Sequence, residues 1–313
     1  MKLSSRSNPH PRQTEYADTE HGTDHNASAL LRLRWVPSLA VLAFMATAGQ
    51  GLSPVLRLAL SSLVLYSAFK FAAALKQRHF WPDISVEAWA WYLTAWPGMD
   101  LKRFRQSKRT TGRDADPRWL ARGLGGMALG AATLTAAVVA DVGPAVGGWL
   151  AIVGLLALVH FGYADVLSWI LRRRGFAVRR LFNAPERSTS LNDFWTRRWN
   201  VAFVEMDRVL FMPRLRRLSP QAAPFLMLVG SGIMHELALS YPAGSGWGLP
   251  LIYFALHGLG MQAERTAWFQ RRSIWFAKWW TRALVLAPVA LVFHRPFRDA
   301  LPLEFLLLLK GMS

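Results

Sequence analysis

The chain has 313 residues, of which 52% are hydrophobic and 18% charged, and 37 Lys and Arg against 19 Asp and Glu give a net charge of +18. A typical soluble protein carries about 25% charged residues, so this chain has too few to cover a soluble surface. The composition excludes a soluble enzyme, a nucleic-acid-binding module and a disordered basic protein. Cysteine is absent, which also excludes disulfide bonds, thiolate metal sites and an acyl-cysteine intermediate.

Residues 1–30 are polar and lack the apolar core of a signal peptide, which predicts a disordered cytoplasmic tail. Residues 31–313 are predicted to form a single integral-membrane domain. Their uncharged stretches approach or exceed the roughly 18 residues of a transmembrane helix candidate. We therefore predict an all-α, polytopic membrane protein with about eight spans, at 35–51, 53–75, 120–139, 146–171, 221–241, 247–268, 282–294 and 300–310.

Lys and Arg are concentrated in two blocks, 76–118 and 172–217, whereas the turns at 49–52, 142–146 and 242–248 contain neither residue. This alternation is typical of the positive-inside rule and places the basic loops and the N-terminus in the cytoplasm. It also favours attraction to anionic membrane lipids. The expected location is a bacterial inner membrane or the endoplasmic reticulum.

The apolar stretch 86–99 (VEAWAWYLTAWPGM) is rich in tryptophan but short. About 14 helical residues rise only about 21 Å, which is less than the roughly 30 Å hydrocarbon core of a bilayer. We predict an interfacial or re-entrant helix with its tryptophan rings at the level of the lipid head groups.

The segment 190–213 is too apolar for an ordinary cytoplasmic loop. Ser190 is a predicted helix N-cap, and Asp193 and Arg197 have the i,i+4 spacing of an ion pair. Apolar residues with approximate helical spacing predict one amphipathic helix at the membrane surface. Its apolar stripe consists of Phe194, Trp195, Trp199, Ala202, Phe203, Met206, Val209 and Leu210. The same pattern fits a linker helix that rests on lipid equally well. Asn200 does not suit that interpretation, because an amide turned towards the interior needs hydrogen-bond partners.

Ionisable side chains lie inside two predicted spans. His235 is followed by Glu236 and lies one helical turn after Ser231, whose hydroxyl could bind the imidazole or a substrate. Such groups usually face a cavity or pathway, although a histidine that fixes helix packing through a backbone carbonyl remains an alternative. In the next span His257 and Glu264 share one helix face, either as a second wall of the cavity or as a structural polar contact.

Familiar signatures for phosphate, dinucleotide or metal binding are absent from the sequence. The polar residues of the spans are His, Glu, Asn and Ser, a set suited to proton transfer. We expect no metal and no cofactor.

Four sequence pieces, taken together, resemble the wax-synthase-like branch of the membrane-bound O-acyltransferase superfamily. They are SLNDFWTRRWN (190–200), SGIMHEL (231–237), FALHGLGMQAE (254–264) and the weaker WPGMD (96–100). The resemblance implies transfer of an acyl group from acyl-CoA to a hydroxyl inside the bilayer, with a long-chain alcohol as acceptor in this branch. Related enzymes esterify sterols, diacylglycerol and other hydroxyl compounds, so the acceptor is left open.

The resemblance assigns the functional pair to Asn200 and His235. A neutral His235 would act as general base, and Asn200 would stabilise the oxyanion or orient the thioester. Arg197 and Arg198 are candidates for the CoA phosphates, although both are equally explained as topology signals. Further substrate contacts are predicted for Ser231, Trp195, Trp199, Glu236 and His257. Without cysteine, direct attack in a ternary complex of acyl-CoA and a lipophilic alcohol is favoured; the oligomeric state is left open.

A rival hypothesis is a proton-coupled transporter or lipid translocator that uses His235, Glu236, His257 and Glu264 as a relay. It gives no reason for the aromatic and arginine-rich segment before Asn200. A non-catalytic membrane scaffold is favoured least.

Overall fold

A computed structural model describes residues 51–112, 115–140, 142–300 and 311, and these residues are helical without any β-strand. The predicted tail 1–30 and the predicted spans 35–51 and 300–310 lie outside the described residues, apart from residues 51 and 300. With 3₁₀ turns left out, the helices of the described residues are α1 (Pro54–Lys76), α2 (Val86–Thr94), α3 (Pro117–Val139), α4 (Gly143–Arg173), α5 (Leu191–Asp193), α6 (201–218), α7 (Ala223–Ala243), α8 (Leu249–Glu264), α9 (Ala267–Gln270), α10 (Ile274–Leu286), α11 (Val289–Val292) and α12 (Arg295–Ala300), where α4, α6 and α7 each include a π-helical turn.

Four of these helices, α1, α3, α4 and α7, are long and apolar enough to cross a membrane. They confirm the spans predicted at 53–75, 120–139, 146–171 and 221–241. The starts of α1 and α3 follow from local sequence: Ser53 and Asp116 cap these helices, whose first residue is proline, a position where the missing N–H costs nothing.

The predicted count of about eight spans is not confirmed. At 247–268 the chain forms α8 with 16 residues, which rise only about 24 Å. The span predicted at 282–294 is wrong. There α10 begins eight residues earlier, after the N-cap Ser273, and ends at Leu286 just before Pro288, so no continuous helix covers that stretch.

Helices α3 and α4 pack closely because glycines line their contact. A Cβ atom at Gly130 would lie 2.5 Å from the backbone nitrogen of Leu158, and one at Gly126 would lie 3.0 Å from that of Gly162. Small residues of this kind let two helix backbones approach in a membrane.

The two basic blocks lie on one face of the molecule. Backbone hydrogen bonds join them, from Thr110 N–H to the Gly175 carbonyl (2.8 Å) and from Ala177 N–H to the Arg103 carbonyl (3.2 Å). This shared face is what the positive-inside pattern requires. Its assignment to the cytoplasm remains a prediction.

The stretch 86–99 divides into the nine-residue helix α2 and the irregular segment 96–100, which we call the strap. The Nζ of Lys70, on α1, donates to the carbonyls of Trp96 (2.7 Å) and Gly98 (2.6 Å). Trp96 is completely buried, so its ring lies in the protein interior rather than at the predicted head-group level. A short, non-spanning helix is what the length of this stretch predicts.

Candidate active site

The segment that leads into the site begins at α5. The Ser190 hydroxyl accepts a hydrogen bond from Asp193 N–H (2.9 Å), which confirms the predicted N-cap. The carboxylate of Glu264, at the end of α8, accepts from the N–H groups of Leu191 (2.6 Å) and Asn192 (3.2 Å). Glu264 therefore attaches the start of α5 to α8, which is the structural role considered for it above.

The predicted pairing of Asp193 with Arg197 is wrong. Residues Phe194–Arg198 form a π-helical turn, in which residues five apart share a face. Asp193 accordingly pairs with Arg198, whose Nε lies 2.6 Å from the carboxylate. Arg198 also donates to the Ala184 carbonyl (3.2 Å), so this arginine ties α5 to the preceding loop.

The predicted single amphipathic helix is interrupted at residues 199 and 200. Trp199 is extended and Asn200 adopts a left-handed conformation (φ 42°), after which α6 begins at Val201. Two backbone hydrogen bonds fix this break, from Asn183 N–H to the Arg198 carbonyl and from Val201 N–H to the Leu181 carbonyl, both 2.8 Å. The break divides the predicted single helix into α5 with its π-helical turn and the separate helix α6.

Asn200 also caps α6. Its side-chain oxygen accepts from Phe203 N–H (3.4 Å), and asparagine tolerates the left-handed region better than most residues. With the oxygen used as acceptor, the amide Nδ2 is the group of this side chain that can donate. Asn200 thus combines a local structural role with a directed N–H donor.

His235 ends the regular part of α7 and precedes a π-helical turn at Glu236–Ser240. Its Nδ1 lies 2.7 Å from the backbone carbonyl of Ser231. A carbonyl only accepts, so Nδ1 carries the proton and the neutral ring has a free electron pair on Nε2. The Ser231 carbonyl orients the ring, which is the contact that the alternative of a packing histidine predicts, and the centre of the Phe254 ring lies 4.4 Å from the centre of the imidazole.

One cavity of about 350 Å³ collects most of the predicted site. Asn200 and His235 both line it, although they are 35 positions apart in the chain and lie on different helices. The predicted substrate contacts that line the same cavity are Ser231, Trp195, Trp199 and Arg197.

Three other predicted substrate contacts do not line this cavity. Arg198 is engaged with Asp193 as described. Glu236 is buried, and its Oε1 accepts from Gly248 N–H and Leu251 N–H (both 3.0 Å) at the start of α8. His257 is fully buried behind Trp195, with the two rings 5.3 Å apart.

The arrangement of the acidic groups bears on the relay hypothesis. Glu236 binds the first turn of α8 and Glu264 is its last residue, so the two carboxylates lie at opposite ends of a helix about 24 Å long. Each is held by two backbone N–H groups. Both carboxylates therefore act as helix caps in this fold, which gives no support to a proton relay through them.

The sequence reasoning missed the three ionisable cavity residues Asp207, Arg208 and Arg216. Burial raises the pKa of Asp207 from 3.8 to about 7, against the opposing effect of Arg208. Asp207 follows Asn200 by seven residues, a spacing that places both on one helix face and could have identified it. Within the described part of the chain, no group of three or more His, Asp or Glu residues could hold a metal ion.

Known proteins similar to this chain have names that agree with the motifs. It is 31% identical over 114 residues to probable long-chain-alcohol O-fatty-acyltransferase 7 of Arabidopsis thaliana, covering 33% of each chain. It is 34% identical over 132 residues to probable long-chain-alcohol O-fatty-acyltransferase 1 of the same plant, covering 37% of this chain and 36% of the relative. The relatives of this chain are wax-synthase-like acyltransferases.

A third relative, acyl-CoA–sterol O-acyltransferase 1 of Arabidopsis thaliana, is 36% identical over 102 residues, which is 28% of this chain and 29% of the relative. The matches span about a third of the length of these curated wax-synthase-like relatives. No protein-family model matches the chain. The similarity confirms the resemblance predicted from the motifs.

Proposed function

We propose that this protein transfers a fatty acyl group from acyl-CoA to the hydroxyl of a long-chain alcohol, giving a wax ester and free CoA. The observation that carries the proposal is the shared cavity of Asn200 and His235, the two residues to which the resemblance assigns the chemistry. Similarity to relatives named for long-chain-alcohol acyl transfer supports the substrate class.

His235 is proposed as the general base. An alcohol must lose its proton as its oxygen attacks the thioester carbonyl, and the Nε2 electron pair, left free by the Nδ1–carbonyl bond, can take that proton. The C–O bond forms, the C–S bond breaks, and the same imidazole returns the proton to the leaving thiolate. The rings of Phe203 and Phe254 lie beside the imidazole, with ring centres 6.1 Å and 4.4 Å from its centre.

Asn200 is proposed to stabilise the oxygen that becomes negative in the transition state. Its Nδ2 group is the donor, because Oδ1 is occupied by the cap to Phe203 N–H. A fixed donor of this kind requires no reorganisation during the reaction, and loss of one typically slows turnover about 10²–10³-fold. Arg197 lines the same cavity and is proposed to attract the CoA phosphates.

The first experiment expresses the protein in a host that lacks neutral lipids and identifies new esters by mass spectrometry, with fatty alcohol or sterol supplied. The wild type is expected to produce wax esters, and His235→Ala to abolish them at unchanged protein abundance. His79→Ala, which removes an exposed histidine outside the cavity, is the control and should retain full yield. Absence of any ester from the wild type would contradict acyl transfer. If ester forms only when sterol is supplied, the acceptor is a sterol and not a long-chain alcohol.

A further inference from the structure

Asp207 is a cavity residue that the proposed chemistry does not use. Its Oδ1 is buried and has no hydrogen-bond partner among the described residues, while the carboxyl lines the same cavity as Asn200 and His235. Leaving a buried acceptor without a partner costs free energy. A substrate atom in the cavity would supply the missing partner.

The position of Asp207 relative to Asn200 limits which atom this can be. Asn200, Val204 and Asp207 line the cavity along one face of α6 and its π-helical turn at Asp207–Phe211. Seven residues of helix separate the two polar groups by about 10 Å along the axis. If the thioester lies at Asn200, Asp207 faces a part of the substrate well removed from the reacting carbon.

The two substrates differ in what they offer at that distance. A fatty alcohol has one polar group, and this must lie beside His235. The pantetheine arm of acyl-CoA carries two amides beyond the sulfur, each with one N–H donor and one C=O acceptor. A neutral carboxyl group also has one donor and one acceptor, so it can form a reciprocal pair of hydrogen bonds with an amide.

We propose that Asp207 binds a pantetheine amide of acyl-CoA through its protonated carboxyl group. This inference rests on the proposed function for the identity of the substrate. Arg208 and Arg216, which line the cavity beside Asp207, would then lie towards the phosphate-bearing end of the same molecule. The acyl-CoA would extend along α6, from Asn200 at the thioester towards these arginines.

The charged surroundings of Asp207 are consistent with a neutral carboxyl. Burial raises its pKa to about 7. The other ionisable groups of the cavity lining are Arg197, Arg208, Arg216 and His235, and Lys76 on the adjacent α1 binds the Leu210 carbonyl of the same π-helical turn. Asp207 is the only carboxyl group among the described lining residues, so replacing Asp207 alone tests its own contribution to the pH dependence of binding.

The test measures binding of a non-reactive S-alkyl thioether of CoA to the purified, full-length protein at pH 6 and pH 8.5. The wild type is expected to bind about tenfold more weakly at pH 8.5, because the ionised carboxylate has lost its donor. Asp207→Leu should weaken binding about tenfold at pH 6 and remove most of the pH dependence. Asp207→Asn, which retains a donor and an acceptor, should bind more tightly than Asp207→Leu and show little change with pH.

Two controls make the outcome specific. Glu186→Leu removes an exposed carboxylate outside the cavity and should bind as the wild type does. S-alkyl pantetheine, which lacks the nucleotide, should show the same loss in Asp207→Leu, since the proposed contact is to the amides. The assignment would be overturned if a folded Asp207→Leu protein bound both probes as tightly as the wild type does. It would also be overturned if this variant raised the KM for alcohol without binding the probes more weakly. Ester formation is measured separately, so failure of the proposed function is distinguishable from failure of this contact.

Discussion

At Asn200 the backbone and the side chain place separate demands on the residue type. The left-handed backbone (φ 42°) favours Asn, Asp or Gly, and the cap to Phe203 N–H needs a side-chain oxygen. Neither demand requires the Nδ2 donor that the proposed chemistry uses. Substitutions can therefore separate the structural role from the catalytic one.

Asn200→Asp retains the cap and tolerates the left-handed backbone, but it lacks the N–H donor. We expect ester formation to slow about 10²–10³-fold while the melting temperature stays close to wild type. Asn200→Gly keeps the backbone and loses both side-chain functions, so activity should fall and stability should drop slightly. Turnover and thermal unfolding of the purified variants provide the measurement. Near-normal turnover in both variants would show that Asn200 only caps α6 and takes no part in the reaction.

Asp207 makes the stability of the protein depend on pH. Its pKa in the folded state, about 7, lies above the ordinary value of 3.8, so the folded protein holds this proton more tightly than the unfolded chain does. The associated stabilisation is complete below about pH 4 and is lost as the pH rises through 7.

Asp207→Asn stays neutral at every pH, so its melting temperature should exceed that of the wild type increasingly between pH 5 and pH 8. The free energies of unfolding of the two proteins should differ by an amount on the order of a few kcal/mol at pH 8. Each kcal/mol corresponds to about 2–4 °C in melting temperature. Thermal unfolding in detergent at pH 5, 6, 7 and 8 measures this difference. A gap between the two proteins that is constant across this range would show that Asp207 does not titrate as described.

At the scale of elements, π-helical turns border the cavity. They lie at Phe194–Arg198, Asp207–Phe211 and Glu236–Ser240, where the first carries Trp195 and Arg197, the second begins with Asp207, and the third starts directly after His235. Such turns insert an extra residue into the helix and are frequent at functional sites. They change which side chains share a helix face.

These turns explain part of what could not be predicted from the sequence. The four long apolar helices follow from hydropathy, and the Ser190 cap follows from residue type, so both could be predicted. The Asp193–Arg198 pair could not, because a 3.6-residue period selects Arg197, and only a five-residue turn brings Arg198 to Asp193. The break at Asn200 likewise depends on backbone bonds to Leu181 and Asn183, which no local pattern in 190–213 indicates.

The close packing of α3 and α4 gives a prediction for this helix pair. A Cβ atom at Gly130 would lie 2.5 Å from the Leu158 backbone nitrogen, whereas one at Gly125 meets nothing within 4 Å. Gly130→Ala should therefore separate the helices and destabilise the protein by about 1–3 kcal/mol. Gly125→Ala, five residues away on the same helix, should unfold at or slightly above the wild-type temperature. Equal melting temperatures for both variants would contradict the glycine-mediated contact.

At the scale of the whole molecule, the strap 96–100 connects a membrane-spanning helix to the helix that carries Asn200 and Asp207. Lys70 on α1 binds the Trp96 and Gly98 carbonyls and lies 3.7 Å from the centre of the Tyr92 ring. On the other side of the strap, Glu205 of α6 accepts from Asp100 N–H (3.4 Å) and Arg103 Nε (2.6 Å). A buried lysine and a buried glutamate thus hold one irregular segment between two helices.

Replacing Lys70 tests whether this connection supports the cavity. Lys70→Met keeps the length of the side chain but leaves the Trp96 carbonyl short of a donor and the Gly98 carbonyl without its lysine partner, at a cost of about 1–3 kcal/mol for each unsatisfied group. We expect a lower melting temperature, slower ester formation, and faster amide hydrogen exchange in both 96–100 and 201–211. Lys108→Met, which changes an exposed lysine, should leave all three measurements unaltered. If exchange rises only in the strap while 201–211 stays protected, α6 is held by its own packing, and the Lys70–strap–Glu205 connection does not position Asn200 and Asp207.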